Sequence, residues 1–249
     1  MLNILKYLRD RLTNSSKSDK KPTPINIDDL KGYTDEEMFG LEKNPKKIIE
    51  DFEKASKYLA VRIYHQELID NFKLEELVHR TDLEGTVTVL VLDLPASVEC
   101  ILHTNIDRWS KTPEELFPIA LNNLKEKFKR EVENDGNHFL KLTGRDVFVT
   151  SEALFFERNH KCIGKYGAIF CLPNRDTFRA AAINSDIDLE IALQYMIPFA
   201  EDTYDSSEDR AITNHIFWHF EGKNELIYTY YGLNRLRYVL PQDLADMVY

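Results

Sequence analysis

The spacing of apolar residues divides the chain into strand-like and helical stretches. Thr86-Val87-Thr88-Val89-Leu90-Val91-Leu92 is short and almost wholly β-branched or apolar, which predicts a central strand buried on both faces. Residues 166–172 have the same character, and 98–102, 139–142 and 147–150 read as shorter strands. Leu59, Val61 and Ile63 alternate with Ala60 and Arg62, a pattern that fits either a strand or the continuation of a helix. Residues 216–221 and 226–231, aromatic and β-rich on either side of Gly222-Lys223-Asn224, predict a hairpin.

Helical periodicity is clearest after Thr112. Thr112 with Glu115 forms a capping box, Pro113 occupies the first helical position, where its missing N–H costs nothing, and Leu116, Phe117, Ala120, Leu121, Leu124 and Phe128 make one apolar stripe. Further helices are predicted over 46–56, 151–158, from Asn174 or Asp176 to about Ile183, and over 188–200 and 241–247, with another capping box at Thr34 and Glu37. In residues 1–12, Leu2, Ile4, Leu5, Leu8 and Leu12 oppose Lys6, Arg9 and Arg11 as in an amphipathic helix, and 13–24, rich in Ser, Lys and Pro, reads as a flexible linker. The pattern therefore predicts an α+β fold, a mixed or antiparallel sheet packed by helices behind an N-terminal helical segment. Residues 25–249 form one domain.

Composition supports a core of ordinary size: 43% of the 249 residues are hydrophobic. The net charge of −10 disfavours nucleic acid and anionic membranes as partners of the body and favours a basic protein. Residues 1–21 reverse the sign, with six Lys or Arg against two Asp, so a membrane contact is expected only through 1–12. Cys100, Cys162 and Cys171 make no paired short spacing, so neither a disulfide framework nor a structural zinc site is expected. Charges interrupt residues 1–12 where a secretory signal needs an apolar run, and no stretch approaches the ~20 apolar residues of a membrane span. These features imply a cytoplasmic protein.

No stretch spells out a reaction. His215 and His219 have the separation of two metal ligands on a helix, but Ile216 stands where an HExxH site has Glu, and on a strand His215, Phe217, His219 and Glu221 share one face. Pro173-Asn174-Arg175-Asp176 follows a buried strand, a common place for a site, and Arg175 offers a planar fork to a carboxylate or phosphate. Asp93 ends the central strand, with Asp107 in a polar loop downstream, two carboxylates able to share a metal or a proton if they converge, and Asp93 or His103 could supplement a site at Arg175 and Asp176. Cys162, after His160 and Lys161, is the cysteine expected to be exposed. There is no P-loop, G-x-S-x-G or G-x-G-x-x-G, and no cofactor is implied.

Trp109, Pro113-Glu114-Glu115-Leu116 and Ala120-Leu121-Asn122-Asn123-Leu124, followed by Ala168-Ile169-Phe170-Cys171-Leu172-Pro173-Asn174-Arg175-Asp176, resemble the YtpQ-like family of bacterial domains of unknown function over about residues 85–185. The resemblance implies a bacterial cytosolic α+β protein with Asn122, Asn123, Pro173, Asn174, Arg175 and Asp176 as the family-like set. It brings no established activity. It also suggests that a buried asparagine of the helix hydrogen-bonds the strand-to-helix turn and so holds the fold together.

Two functional readings follow. In the favoured one the protein is a non-enzymatic interaction module, whose loop at 203–210 and aromatic hairpin present Glu201, Asp202, Asp205, Glu208, Asp209, Trp218 and Tyr230 to a basic protein partner. In the alternative it is a small hydrolase or phosphoryl-handling enzyme with a site near Arg175 and Asp176, helped by Asp93 or His103.

Overall fold

The computed structural model describes residues 45–67, 73–94, 97–134, 139–143, 147–232 and 235–249. The amphipathic helix at 1–12, the linker at 13–24 and the capping box at Thr34 and Glu37 lie outside the described residues. The described residues form an α+β fold of two antiparallel sheets.

The first sheet is built on β3 (Thr86–Leu94), every residue of which is buried. On one side it pairs with β1 (Leu59–His65), and the other side is shared by β2 (His79–Arg80) and β4 (Ser97–Cys100). The ambiguous 59–65 stretch is thus a strand, in register from Leu59 opposite Leu92 to His65 opposite Thr86. Before it, the helix expected over 46–56 is broken in two, α1 (Pro45–Ile49) and α2 (Phe52–Ala55). Asp51 takes an extended backbone between them, and its carboxylate accepts from Glu53 N at 3.0 Å, capping α2. After β4, the polar run containing Asp107 is α3 (His103–Trp109), not a loop; Asn105 accepts from Leu102 N at 2.9 Å at its start.

The helix α4 (Pro113–Lys127) begins as its sequence predicts, with Glu115 accepting from Thr112 N at 2.9 Å. Leu116, Phe117, Ala120 and Leu124 are buried, each large side chain contributing roughly 1.5–3 kcal/mol. Asn123 donates to the carbonyls of Ser56 and Leu59 at 2.8 and 2.9 Å, tying α4 to the entry of β1. The expected bond from this helix to the 173–176 turn is therefore replaced by one to the first sheet, and Asn122 bonds Glu126 on the exposed side.

The second sheet runs β11-β10-β9-β7-β8-β6-β5, with β5 Glu131–Asn134, β6 Leu140–Thr143, β7 Ala168–Cys171, β8 Phe178–Ala182, β9 Ile216–Phe220, β10 Lys223–Gly232 and β11 Arg235–Val239. β8 replaces the helix expected after Asn174 or Asp176. Asn174 Oδ1 accepts from Asp176 N at 3.1 Å and makes a turn, and the alanines that favour a helix are held extended by β6 on one side and β7 on the other. The hairpin of β9 and β10 turns at Glu221-Gly222, both with positive φ (46° and 79°), the backbone a two-residue turn of this hand requires.

One face of this sheet packs Ile169, Cys171, Ile216, Trp218 and Ile227 against α5 (Asp186–Asp205) and α6 (Gln242–Val248). The opposite face packs Phe170, Phe178 and Phe217 against residues 149–158. That segment forms short 3₁₀ turns with a kink at Phe155, in place of the strand expected at 147–150 and the regular helix after it. It joins the two halves: Phe155 enters the core of the first sheet, Val149, Ala153 and Phe156 enter that of the second, and Ser151 Oγ donates to Val61 O at 2.8 Å.

The same segment carries Glu152, completely buried. Arg130 Nε donates to its Oε1 at 2.8 Å, Arg158 Nε to its Oε2 at 2.8 Å and Asn159 Nδ2 to Oε2 at 3.1 Å, and Arg158 makes a second contact with Oε1. Arg158 also caps the end of α4 by donating to the carbonyls of Lys125 and Phe128.

Candidate functional site

The acidic segment meets Tyr231 of β10 at the β10-β11 end of the second sheet. Ser185 caps α5 by accepting from Asp188 N at 3.1 Å. The helix then runs twenty residues, past the expected stop at Ala200, so Glu201, Asp202 and Asp205 lie on its last turns and not in a loop. Glu208 and Asp209 follow in a short 3₁₀ turn, and Asp202, Asp205, Glu208 and Asp209 are exposed.

Strand alternation places Tyr228 and Tyr230 on one face of β10 and Tyr231 on the other. All three are about half exposed or more, Tyr230 at 49%. Tyr231 Oη donates to Glu201 Oε2 at 2.7 Å, which joins the sheet to the acidic end of α5. Tyr228 Oη stands 3.3 Å from both oxygens of Glu84. The hydrogen bond to Glu201 pushes the Tyr231 phenol above its ordinary pKa, and the Glu84 charge does the same for Tyr228. The result is a phenol ring beside a carboxylate on each face of β10, Tyr231 with Glu201 on one and Tyr228 with Glu84 on the other. The sequence pointed to its acids and to Tyr230. Tyr228, Tyr231 and Glu84 were missed, although the Tyr228-Thr229-Tyr230-Tyr231 run was the available signal.

Trp218 does not belong to this surface. It is 2% exposed, and its Nε1 donates to Tyr166 O at 2.8 Å beneath α5, because β9 is covered on both faces. His215 and His219 do share a face around Phe217, each with its own partners. His219 is buried edge-on to Phe156 with Nδ1 2.7 Å from Asn224 Oδ1, and His215 Nδ1 lies 3.4 Å from Glu84 O. Among the described residues no group of three or more His, Cys, Asp or Glu is placed to hold a metal ion.

The residues expected to support catalysis do not converge. Arg175 is buried, donating to Asp209 O at 2.9 Å, and its guanidinium carbon stands 5.6 Å from the centroid of the Tyr64 ring. Asp176 turns outward and pairs with Arg210. Asp93 accepts from Lys127 at 3.0 Å, and His103 is exposed at the start of α3. Cys162 is buried instead of exposed, and burial pushes its thiol up to about 11, that of Cys100 to about 11 and that of Cys171 to about 12. None carries thiolate character at neutral pH.

Compared with known proteins, the chain matches no family model, no curated protein and no solved structure. No helix among the described residues is long and apolar enough to cross a membrane.

Proposed function

We propose that the protein is a non-enzymatic binding module that receives a Lys- or Arg-rich segment of a partner protein on its tyrosine and carboxylate surface. The observation that supports this most directly is the 2.7 Å bond from Tyr231 to Glu201, which joins an exposed ring of β10 to the acids of α5. Carboxylates steer and pair a cation, and phenol faces attract it through their quadrupole. The overall charge of −10 works in the same direction at longer range. Kinship with the YtpQ-like domains is proposed on the helix and turn motifs alone and adds no activity.

The enzyme reading has less support, because Arg175 and Asp176 face different partners and neither is joined by Asp93 or His103. The test of the binding module is fluorescence anisotropy with an array of Lys- and Arg-rich peptides, comparing wild type with a variant carrying Glu201→Gln, Asp202→Asn and Asp205→Asn. At least one peptide should bind wild type roughly tenfold more tightly at low salt, with the difference shrinking at 0.5 M salt. Equal binding to the two proteins across the array would sink the reading.

A further inference from the structure

Two arginines are buried together where β1 meets the turn between β7 and β8. Arg62 is 7% exposed and Arg175 8%. Their guanidinium carbons lie 5.5 and 5.6 Å from the centroid of the same ring, that of buried Tyr64. Among the described residues no carboxylate lies within ion-pair distance of either guanidinium. The Tyr64 face offsets part of the charge, and Arg175 has the Asp209 carbonyl. Neither supplies a counter-charge.

The sheet register adds a second polar group. Arg62 is opposite Val89, and Val89 is opposite His79 on its other side, so Arg62, Tyr64 and His79 share one face, with Cys100 opposite Val91 on the same face. Arg62 Nε and His79 Nδ1 are both sealed from solvent without a hydrogen-bond partner. A buried donor without a partner is unfavourable, and a buried cation without a counter-ion more so. The neighbouring positive charge also shows on Arg175, which burial first and Arg62 second hold below the usual arginine range, against weaker opposing influences from Tyr64 and the Asp209 carboxylate.

A planar guanidinium with free N–H groups matches the oxygens of a carboxylate or phosphate, and two of them beside one ring match an anion that both can reach. We propose that Arg62 and Arg175, each beside the Tyr64 ring, form a binding site for a small oxyanion of the phosphate or carboxylate type. The site is independent of the surface offered to a basic partner. It touches that region only through Asp209, whose carbonyl holds Arg175.

The test is calorimetric titration of the full chain with inorganic phosphate, sulfate and acetate in turn, at constant ionic strength in chloride. Saturable one-to-one binding of at least one of them is expected, and the order of the three affinities distinguishes a phosphate-type from a carboxylate-type ligand. Arg62→Met should weaken that binding at least tenfold, and Arg62→Lys, which keeps the charge and loses the fork, should weaken it less. Absence of saturable binding by wild type overturns the site, as does unchanged affinity in Arg62→Met with an unaltered circular dichroism spectrum. Should Arg62→Met fail to fold, the Arg62→Lys titration decides: unchanged affinity there overturns the proposal.

Discussion

Glu152 lies buried between Arg130 and Arg158, with Asn159 on its remaining lone pair, whereas Arg62 and Arg175 lie buried beside Tyr64 with no carboxylate between them. The first place removes the Arg130 side chain and most of Arg158 from bulk water, and the second removes both of its arginines. In the first, the chain supplies its own anion, which fixes the 149–158 segment to the residues following α4 and so holds the two sheets together. An attraction of about 4 kcal/mol per close pair at moderate effective dielectric offsets the desolvation there. In the second, the Tyr64 ring and the Asp209 carbonyl offset part of the desolvation and no anion of the chain offsets the rest. The contrast indicates that a buried arginine pair is a structural clasp when its acid is built in, and a receptor when its acid has to come from outside.

The comparison is broken most directly at the clasp. Glu152→Gln keeps the shape of the side chain and removes the charge between two arginines, and urea unfolding should show a loss of about 3–5 kcal/mol. A loss below ~1 kcal/mol would mean that the two arginines tolerate burial without their acid, and the distinction between the two sites would collapse. Arg62→Met, measured in chloride without added oxyanion, should behave oppositely, leaving stability within ~1 kcal/mol of wild type or raising it. A large loss there would show that Arg62 is already compensated inside the fold.

The two places were unequally visible in the sequence. The apolar run of β3 was legible because a strand buried on both faces needs contiguous apolar residues. The start of α4 was legible because Thr112, Pro113 and Glu115 act locally. β8 was not, since Phe178-Arg179-Ala180-Ala181-Ala182 prefers no strand by itself and is extended only by its neighbours on both sides. The acids of the candidate surface were legible from charge alone. Their link to the tyrosines was not, because Tyr231 meets Glu201 across 30 residues and Tyr228 meets Glu84 across 144. Arg62 was hidden in the alternation of β1, where a single arginine in an apolar strand gives no sign of the second arginine beside it.

A smaller effect sharpens the description of the arginine face. His79, on that face, is held below the ordinary histidine pKa by burial and then by the charge of His103. Above pH ~6.5 the residue is neutral in both folded and unfolded chains and contributes nothing to the pH dependence. As pH falls below that value the unfolded chain takes up a proton that the folded chain resists, so stability is lost. Thermal melting between pH 7.5 and 5.5 should therefore show a smaller acid-induced drop in His79→Leu than in wild type. Identical pH profiles would mean that His79 gains a proton as easily folded as unfolded, contrary to its sealed Nδ1.

The smallest expected effect on stability is at the exposed surface. Tyr231 is 63% exposed and donates its single hydrogen bond to a carboxylate that water also reaches, so Tyr231→Phe should change unfolding free energy by no more than about 0.5 kcal/mol. The ring remains in place, but the bond that fixes it against Glu201 is gone. If the phenol and the carboxylate receive a cation together, affinity for a Lys- or Arg-rich peptide falls severalfold in Tyr231→Phe, and combining it with Glu201→Gln costs less than the sum of the two single changes, because each alone already removes their contact. Strict additivity would show that the two groups act separately. The clasp at Glu152 and the surface at Glu201 would then differ in more than exposure: one carboxylate would organise its neighbours, and the other would contribute only charge.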